Sequence, residues 1–371
     1  MDFKLPENTT MIADTARRYL KDNYSFDTYI AQLNESNHLE ANRWQAMNDL
    51  GWFGLPFAES VGGYGGSLLD VCAIVQELGA ALCLDPFVDL IVSPGKLLEF
   101  ANTPTSLSLL DRIIAGEARV ACGLYDRHAG YHVLNPSLRL NGERLSGQKH
   151  VVSDGGVADA VLVSAMSGDE LVIVALPFDA CDVERYRLLD GSRAASLTLD
   201  DVLITDEMVL CRGDAAKQAV SAWFDYLCAL DCARMYGACR EVYQATLEYA
   251  RTRKQFGRTI GSFQVIQHYL VDAFIDLQQL ESMLLMVSVK GESANVGERG
   301  RATAAAKAYY ANRAVGITQQ GIQIHGGVGV TEELNIGHYF RLVTHASLSH
   351  GDREHHMSRF IQAGEKQNEV V

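Results

Sequence analysis

No two cysteines in this sequence form a Cys-x-x-Cys pair. Cys72, Cys83, Cys122, Cys181, Cys211, Cys228, Cys232 and Cys239 are scattered along 371 residues, which excludes a zinc knuckle and gives no disulfide framework. They read as small buried hydrophobes. Basic charge is also short, with 32 Lys plus Arg against 46 Asp plus Glu and a net charge of −14. No basic face is large enough to neutralise a run of phosphates, so nucleic acid is not expected as a partner. No stretch approaches about 18 uncharged apolar residues, the length that spans a bilayer. The amino terminus, MDFKLPENTTMIADTARRYL, carries no apolar core of signal-peptide type, and the expected location is the cytoplasm, without membrane insertion. A nucleotide P-loop is absent too, because no Gly-x-x-x-x-Gly-Lys-Ser/Thr occurs.

What is present is a soluble composition, 48% hydrophobic, and a pattern that changes twice. Apolar residues recur at helical spacing up to about Glu117, as in Val71, Ile74, Val75, Leu78 and Leu82. Between those helices lies Gly51-Trp-Phe-Gly-Leu-Pro56, then Gly62-Gly-Tyr-Gly-Gly66, a loop whose glycines permit φ > 0. Short β-rich runs follow: Leu138 to Leu145, Lys149 to Ser153, Ala160 to Ser164, Leu171 to Leu176 and Ser196 to Leu199. Asn141-Gly142 and Asp154-Gly155-Gly156 punctuate them as turns. Long helical patterns then return over 219–254, 262–290 and 299–323, with a further helix after Leu334. The expected architecture is α+β, with a helical domain (1–117), an antiparallel β barrel (118–212) and a C-terminal four-helix bundle (213–371).

Two elements in the last region stand out. In Arg251-Thr-Arg-Lys-Gln-Phe-Gly-Arg-Thr-Ile-Gly-Ser-Phe-Gln264, three cations precede Gly257. Read locally, that is a helix stop, with cations on the negative end of the dipole and Gly at C′. Gln323-Ile-His-Gly-Gly-Val-Gly-Val330 is a Gly-rich turn that would let a phosphate or sugar approach the backbone, or an ordinary interhelical turn.

Taken in order, these elements resemble the acyl-CoA dehydrogenase family over almost the whole chain. The resemblance rests on Leu50-Gly-Trp-Phe-Gly-Leu-Pro, Gly62-Gly-Tyr-Gly-Gly, Leu145-Ser-Gly-Gln-Lys-His-Val-Val-Ser, Asp190-Gly-Ser-Arg-Ala-Ala, and the two C-terminal motifs. It implies FAD held at a subunit interface and oxidation of an acyl-CoA thioester to the trans-2-enoyl-CoA. An electron-transfer flavoprotein is the implied acceptor. In that reaction a carboxylate takes the α proton while the β hydrogen leaves as hydride.

By the same resemblance, the base is a glutamate in the turn before the last helix, where this chain has Leu348-Ser-His-Gly-Asp352. His350 occupies the glutamate position. The minority location is about seven helical turns before the Arg-x-x-Phe-Gly motif, and there stands Leu227. Asp225 matches an acidic residue near CoA, but the arginine expected at 228 is Cys228. His350 or Asp231 could act as a displaced base, although an imidazole ring does not place its nitrogen where a flexible Glu places oxygen. The cluster His345, His350, Asp352, Glu354, His355 and His356 lacks tight metal-ligand spacing and reads as a polar capping turn.

The implied flavin site is uneven. A Thr-Glu-Pro turn is replaced by Leu124-Tyr-Asp-Arg127. In the Trp-Ile-Thr/Ser strand Val151 stands for the aromatic, leaving Ser153. The ADP-binding half is kept: Arg253, Phe256, Phe263 and Gln264, with Gln323, Gly326 and Gly327 along the adenosine. The ending Gly351-Asp-x-x-His-His-x-x-Arg-Phe360 resembles small or β-type subunits of paired acyl-CoA dehydrogenases of the pimeloyl-CoA or sterol and bile-acid side-chain type. The leading expectation is therefore a base-lacking subunit that completes the FAD site of a catalytic α-type partner in an α2β2 assembly. The alternatives are an active homo-oligomer using a displaced base and a non-catalytic scaffold of the same fold.

Overall fold

A computed structural model describes residues 5–35, 40–127 and 129–368. Six helices come first: α1 (Glu7–Asn23), α2 (Phe26–Asn34), α3 (Ala41–Asp49), α4 (Leu68–Ala80), α5 (Ser93–Ala101) and α6 (Pro104–Ile114). Eight strands follow: β1 (Val120–Gly123), β2 (Arg139–Asn141), β3 (Arg144–Ser153), β4 (Ala160–Ser167), β5 (Glu170–Pro177), β6 (Asp182–Arg187), β7 (Arg193–Leu203) and β8 (Val209–Arg212). Then come α7 (Gly213–Thr252), a small hairpin of β9 (Lys254–Gln255) and β10 (Arg258–Thr259), α8 (Gln264–Lys290), α9 (Val296–His325), α10 (Asn335–Leu348) and α11 (Arg353–Asn368). The predicted order of helices, strands and helices is the observed one. Two long helices are longer than their apolar patterns suggested, and the chain ends in two helices after Leu334 rather than one.

The backbone groups into two compact units. One draws on residues up to Ala31, Leu68–Cys83 and Asp225 onward; the other on Gln32–Ser67 and Leu84–Phe224.

In the second unit the strands form one sheet ordered β6-β7-β3-β2-β4-β5-β8, with β1 also paired to β4. Most ladders are antiparallel, as expected, but β1 and β2 run parallel to β4, so the sheet is mixed. The chain leaves β1 for a long excursion before Arg139, and such a connection permits a parallel return where a tight hairpin does not. Alternation along β7 buries Ala195, Leu197 and Leu199 against Val152, Val161, Val163, Val172 and Val174 in one apolar core. Beneath the core, Lys149 is fully buried and lies 2.8 Å from Asp126, donating also to Ser164 Oγ at 3.1 Å. Burial pulls the Lys149 ammonium down to about 8 while the Asp126 carboxylate works against that fall.

In the first unit, α4 and α7 cross with their backbones almost touching. A Cβ on Gly237 would lie 1.9 Å from the Gln76 carbonyl oxygen, and one on Gly79 would lie 2.2 Å from that of Arg234. The Cys72 thiol points at the Ala229 carbonyl across the same seam. Glu77, 4% exposed, is held by Arg17 at 2.9 Å and by Arg240 at 3.0 Å, so the carboxylate buried at this crossing is paired from two helices.

The crossing yields a stability prediction. Gly237→Ala forces the two backbones apart and should lower the unfolding free energy by about 1–3 kcal/mol, as overpacking typically does. Gly237→Val should lower it further, read by urea titration of the intact chain.

Candidate functional site

The turn expected to carry a base is built around a buried lysine. After α10 the chain reverses with His350 at φ 51° and Gly351 at φ 108°. A Cβ on Gly351 would sit 2.5 Å from the His356 ring. The last carbonyls of a helix have no partner within it, and Lys307 of α9 supplies one. Its ammonium, fully buried, donates to Ala346 O at 2.7 Å, Ser349 O at 2.5 Å and Gly351 O at 3.4 Å. It also lies 3.1 Å from Asp231 Oδ2.

The structure brings the two displaced-base candidates together, because His350 Nδ1 is 2.9 Å from that same Asp231 oxygen. Burial alone would raise the Asp231 carboxyl, yet the charges of Lys307 and His350 outweigh it and hold the group below its ordinary range. The His350 carbonyl accepts from His356 Nε2 at 2.8 Å, which assigns the His356 proton to that nitrogen. Burial, reinforced by Lys307 and Arg359, pushes His356 down to about 2, so the ring stays neutral. Cys228, where an arginine was expected, is buried with its thiol pushed up to about 12. A guanidinium nevertheless arrives here from α11: Arg359 holds Asp225 at 2.7 Å, joined by Arg299 at 3.2 Å and the Thr303 hydroxyl at 2.9 Å. Leu227, the second location for a base, is a buried core leucine. Among the described residues no group of three His, Cys, Asp or Glu side chains is placed to hold a metal ion.

Sequence reasoning missed Lys307. The signal was a lone cation in Ala304-Ala-Ala-Lys-Ala-Tyr-Tyr310, a place where a solvated lysine would not stand.

The Arg-rich motif needs a correction. Arg253, Lys254 and Gly257 are not the last turn and cap of a helix: α7 ends at Thr252, and Lys254–Gln255 pairs antiparallel with Arg258–Thr259. Phe256 at φ 53° and Gly257 at φ 81° form a two-residue loop with φ > 0 at both positions, which is the twist a tight hairpin prefers. The Ile260 N–H donates to Arg253 O at 2.8 Å, closing the hairpin where further helix would have run. Phe256 sits at the tip, 91% exposed. Phe263 meets it edge to face at 6.2 Å, with the Arg258 guanidinium 4.1 Å from the Phe263 ring centre.

The Gly-rich turn lies beside this hairpin, because Tyr249 of α7 stacks on His325 at 4.4 Å. His325 is buried and anchored through Nδ1 to Gly321 O at 2.8 Å. Gly326 at φ 64° and ψ −143° takes a conformation open only to glycine. At both Gly326 and Gly327 a Cβ would meet nothing within 4 Å, so no packing inside the described chain explains the missing side chain at Gly327. Arg253, Gln264 and Gln323 are exposed, and no side-chain bond to another described residue occupies them. The surface thus joins one free guanidinium, two free amides, an aromatic tip and an open glycine cradle, a donor set suited to a diphosphate and a planar base.

The candidate ring-binding positions lie in the other unit. Ser153 ends β3 opposite Ala194. Ahead of it a bulge between Lys149 and Val152 sets Val151 at φ 52°, a conformation that strains a β-branched residue by about 1–3 kcal/mol. The Val151 side chain is 42% exposed. Tyr125 bridges to His150 and tilts toward Trp223 at 6.4 Å.

The acyl-CoA dehydrogenase N-terminal domain model matches residues 6–117, and the C-terminal domain model matches residues 218–364. The probable acyl-CoA dehydrogenase YngJ of Bacillus subtilis is 26% identical, over 95% of this chain and 97% of its own. Acyl-CoA dehydrogenase FadE27 of Mycobacterium tuberculosis is 28% identical, over 80% of this chain and 81% of its own. The ChsE4-ChsE5 complex from Mycobacterium tuberculosis shares the fold with a TM-score of 0.87 at 21% identity, over 100% of this chain and 99% of that one. Among the described residues no helix is long and apolar enough to cross a membrane.

The buried turn predicts an acid limb with a known sign. His356 is neutral when folded down to about 2, whereas an unfolded histidine takes a proton near ~6.5. Stability should therefore fall as pH drops below about 6.5, by up to ~1.4 kcal/mol per pH unit. Asp231 acts lower: its depressed carboxyl stabilises above the unfolded value near ~3.9 and loses that contribution as pH falls through the folded one. Urea titrations between pH 7 and 5 should give a shallower slope for His356→Gln, whose amide can still donate to the His350 carbonyl.

Proposed function

Since the chain belongs to the acyl-CoA dehydrogenase family, we propose that it is a subunit of an FAD-dependent acyl-CoA dehydrogenase, and specifically the base-lacking partner of a catalytic α-type subunit. The observation that carries this reading is the contrast between the two candidate halves of the cofactor site. Arg253, Gln264, Gln323, Gly326 and Gly327 are exposed with no side-chain contact to another described residue occupying them, and the Phe256 tip is 91% exposed. The ring-binding side presents a strained Val151 in place of an aromatic, with only Ser153 in the matching position. Such a chain is equipped to complete a neighbour's site better than its own.

In this role Arg253 would grip the pyrophosphate with a planar fork, Gln264 and Gln323 would donate to phosphate and ribose oxygens, and the Gly326-Gly327 turn would admit the adenosine to the backbone. FAD, when bound, supplies the two-electron acceptor for the β hydrogen. No carboxylate of this chain occupies either family position for the α-proton base: Leu227 is apolar, and His350 is tied to Asp231. The acyl-CoA substrate and the α-proton transfer are assigned to the partner's half. The ChsE4-ChsE5 complex is by its own description a complex, and a comparable pairing is proposed here. An electron-transfer flavoprotein is the proposed acceptor.

One contact favours a second reading. The 2.9 Å pair of Asp231 and His350 is how a carboxylate orients an imidazole for general-base work, and an active homo-oligomer would use it.

Joint purification separates the two readings. The α2β2 assembly should hold two flavins per four chains, measured by flavin absorbance against mass from light scattering, and the isolated chain should bind little FAD. Four flavins per tetramer, or thioester-dependent dye reduction by the single chain, would remove the heteromeric reading. In the assembly Arg253→Ala should weaken flavin retention by about 10- to 100-fold, given ~1.5–3 kcal/mol for a charge-assisted bond. His350→Ala should leave turnover within a few-fold, whereas a fall of ~10³-fold with flavin retained would make His350 the base.

A further inference from the structure

Resting on the heteromeric reading, we infer that Tyr186 closes the ring-binding face of this chain's own sheet, so that the isoalloxazine site is filled from within and not merely eroded. Strands β6, β7 and β3 run side by side, and Tyr186, Ala194 and Ser153 form one lateral row across them. Directly paired residues point to the same face, which is the face away from the apolar core containing Val152, Ala195 and Leu197. The Tyr186 hydroxyl accepts a hydrogen bond from the Val151 backbone N–H at 2.9 Å. From β6 to β3 is two strand spacings, about 9–10 Å, so the phenol must lie flat across Ala194 to reach it. A residue larger than alanine at 194 would stand in its way.

The bond matters because of where that N–H comes from. Val151 lies in the bulge between Lys149 and Val152, so its amide leaves the β3–β7 ladder and donates instead to the Tyr186 hydroxyl. A flavin ring presents only acceptors along its N5 and O4 edge, and a released amide beside Ser153 is the donor that edge requires. Tyr186 takes it. Ser196 supports the arrangement: its hydroxyl lies 3.5 Å from the Tyr186 oxygen and 3.0 Å from His150 Nδ1, so phenol, hydroxyl and imidazole form one line over the strand. The ring therefore has both an anchor and a flat bed, beside the Val151 and Ser153 positions that the resemblance assigns to the planar group of the cofactor.

Lumiflavin tests this, because it has the ring without phosphates and so ignores Arg253, Gln264, Gln323 and the Gly326-Gly327 turn. It would be titrated into the purified full chain by flavin fluorescence, with thermal melting to confirm folding. The parent should bind it weakly. Tyr186→Ala should bind it at least about tenfold more tightly, and Tyr186→Phe, which frees the amide but keeps the ring in place, should gain less. Equal affinity in parent and Tyr186→Ala overturns the inference, and weaker binding by Tyr186→Ala would make the phenol a stacking platform instead. Should Tyr186→Ala fail to fold, an absent gain in Tyr186→Phe is the overturning result. The titration needs no partner subunit, so it can fail while the two-flavin count stands, and the count can fail while it succeeds.

Discussion

An ammonium ion enclosed by protein is the constraint around which the C-terminal helices are arranged. Taking Lys307 out of water is costly unless its donors are met, and they are met only if α10 stops at Leu348 and the chain turns back at once. The Ala346, Ser349 and Gly351 carbonyls then converge on one point, with Asp231 of α7 supplying the counter-charge. Three helices and a turn are thereby held in one register. The left-handed conformation of His350 follows from this, as does the need for glycine at 351. Removing the lysine would leave Asp231 and several carbonyls without their cation, whereas adding or losing charge on the outer faces of these helices would disturb nothing comparable.

That arrangement also recasts what a histidine means at the position where the family resemblance would put a glutamate. A glutamate there would point a second carboxylate at Asp231 in a buried setting, and one of the two would have to stay protonated. Histidine instead gives Asp231 a hydrogen-bond donor. Position 350 and position 231 are thus a matched pair, and a simple exchange of His350 for glutamate would meet repulsion from Asp231 even with Lys307 beside it.

Much of the fold was legible in the sequence because it rests on periodicity: the strands at Leu171 to Leu176 and Ser196 to Leu199, and the long helices through Leu227 and Ala304, announce themselves by spacing alone. Less legible were features set by contacts between distant residues. Nothing local distinguishes Arg253 and Lys254 as hairpin from helix. Only the bond from Ile260 back to Arg253 decides it, and Gly257 suits both geometries equally well. The parallel pairing of β1 and β2 with β4 depends on the path of an irregular excursion. Lys307, Asp231 and His350 are separated by 76 and 43 positions in numbering, and no window along the chain contains two of them. Motif resemblance found the surroundings of the site; the charges that organise it required three dimensions.

The hairpin tip has a consequence for how the chain meets other surfaces. Phe256 stands almost wholly in water, meeting Phe263 only edge to face, with the exposed Val328 and Val330 on a turn that joins the neighbouring helix end. In a lone chain these side chains stay in water and offer a small apolar surface. An almost fully exposed ring adds little to folding stability by burial, so the role of Phe256 lies in what the surface meets and not in the fold.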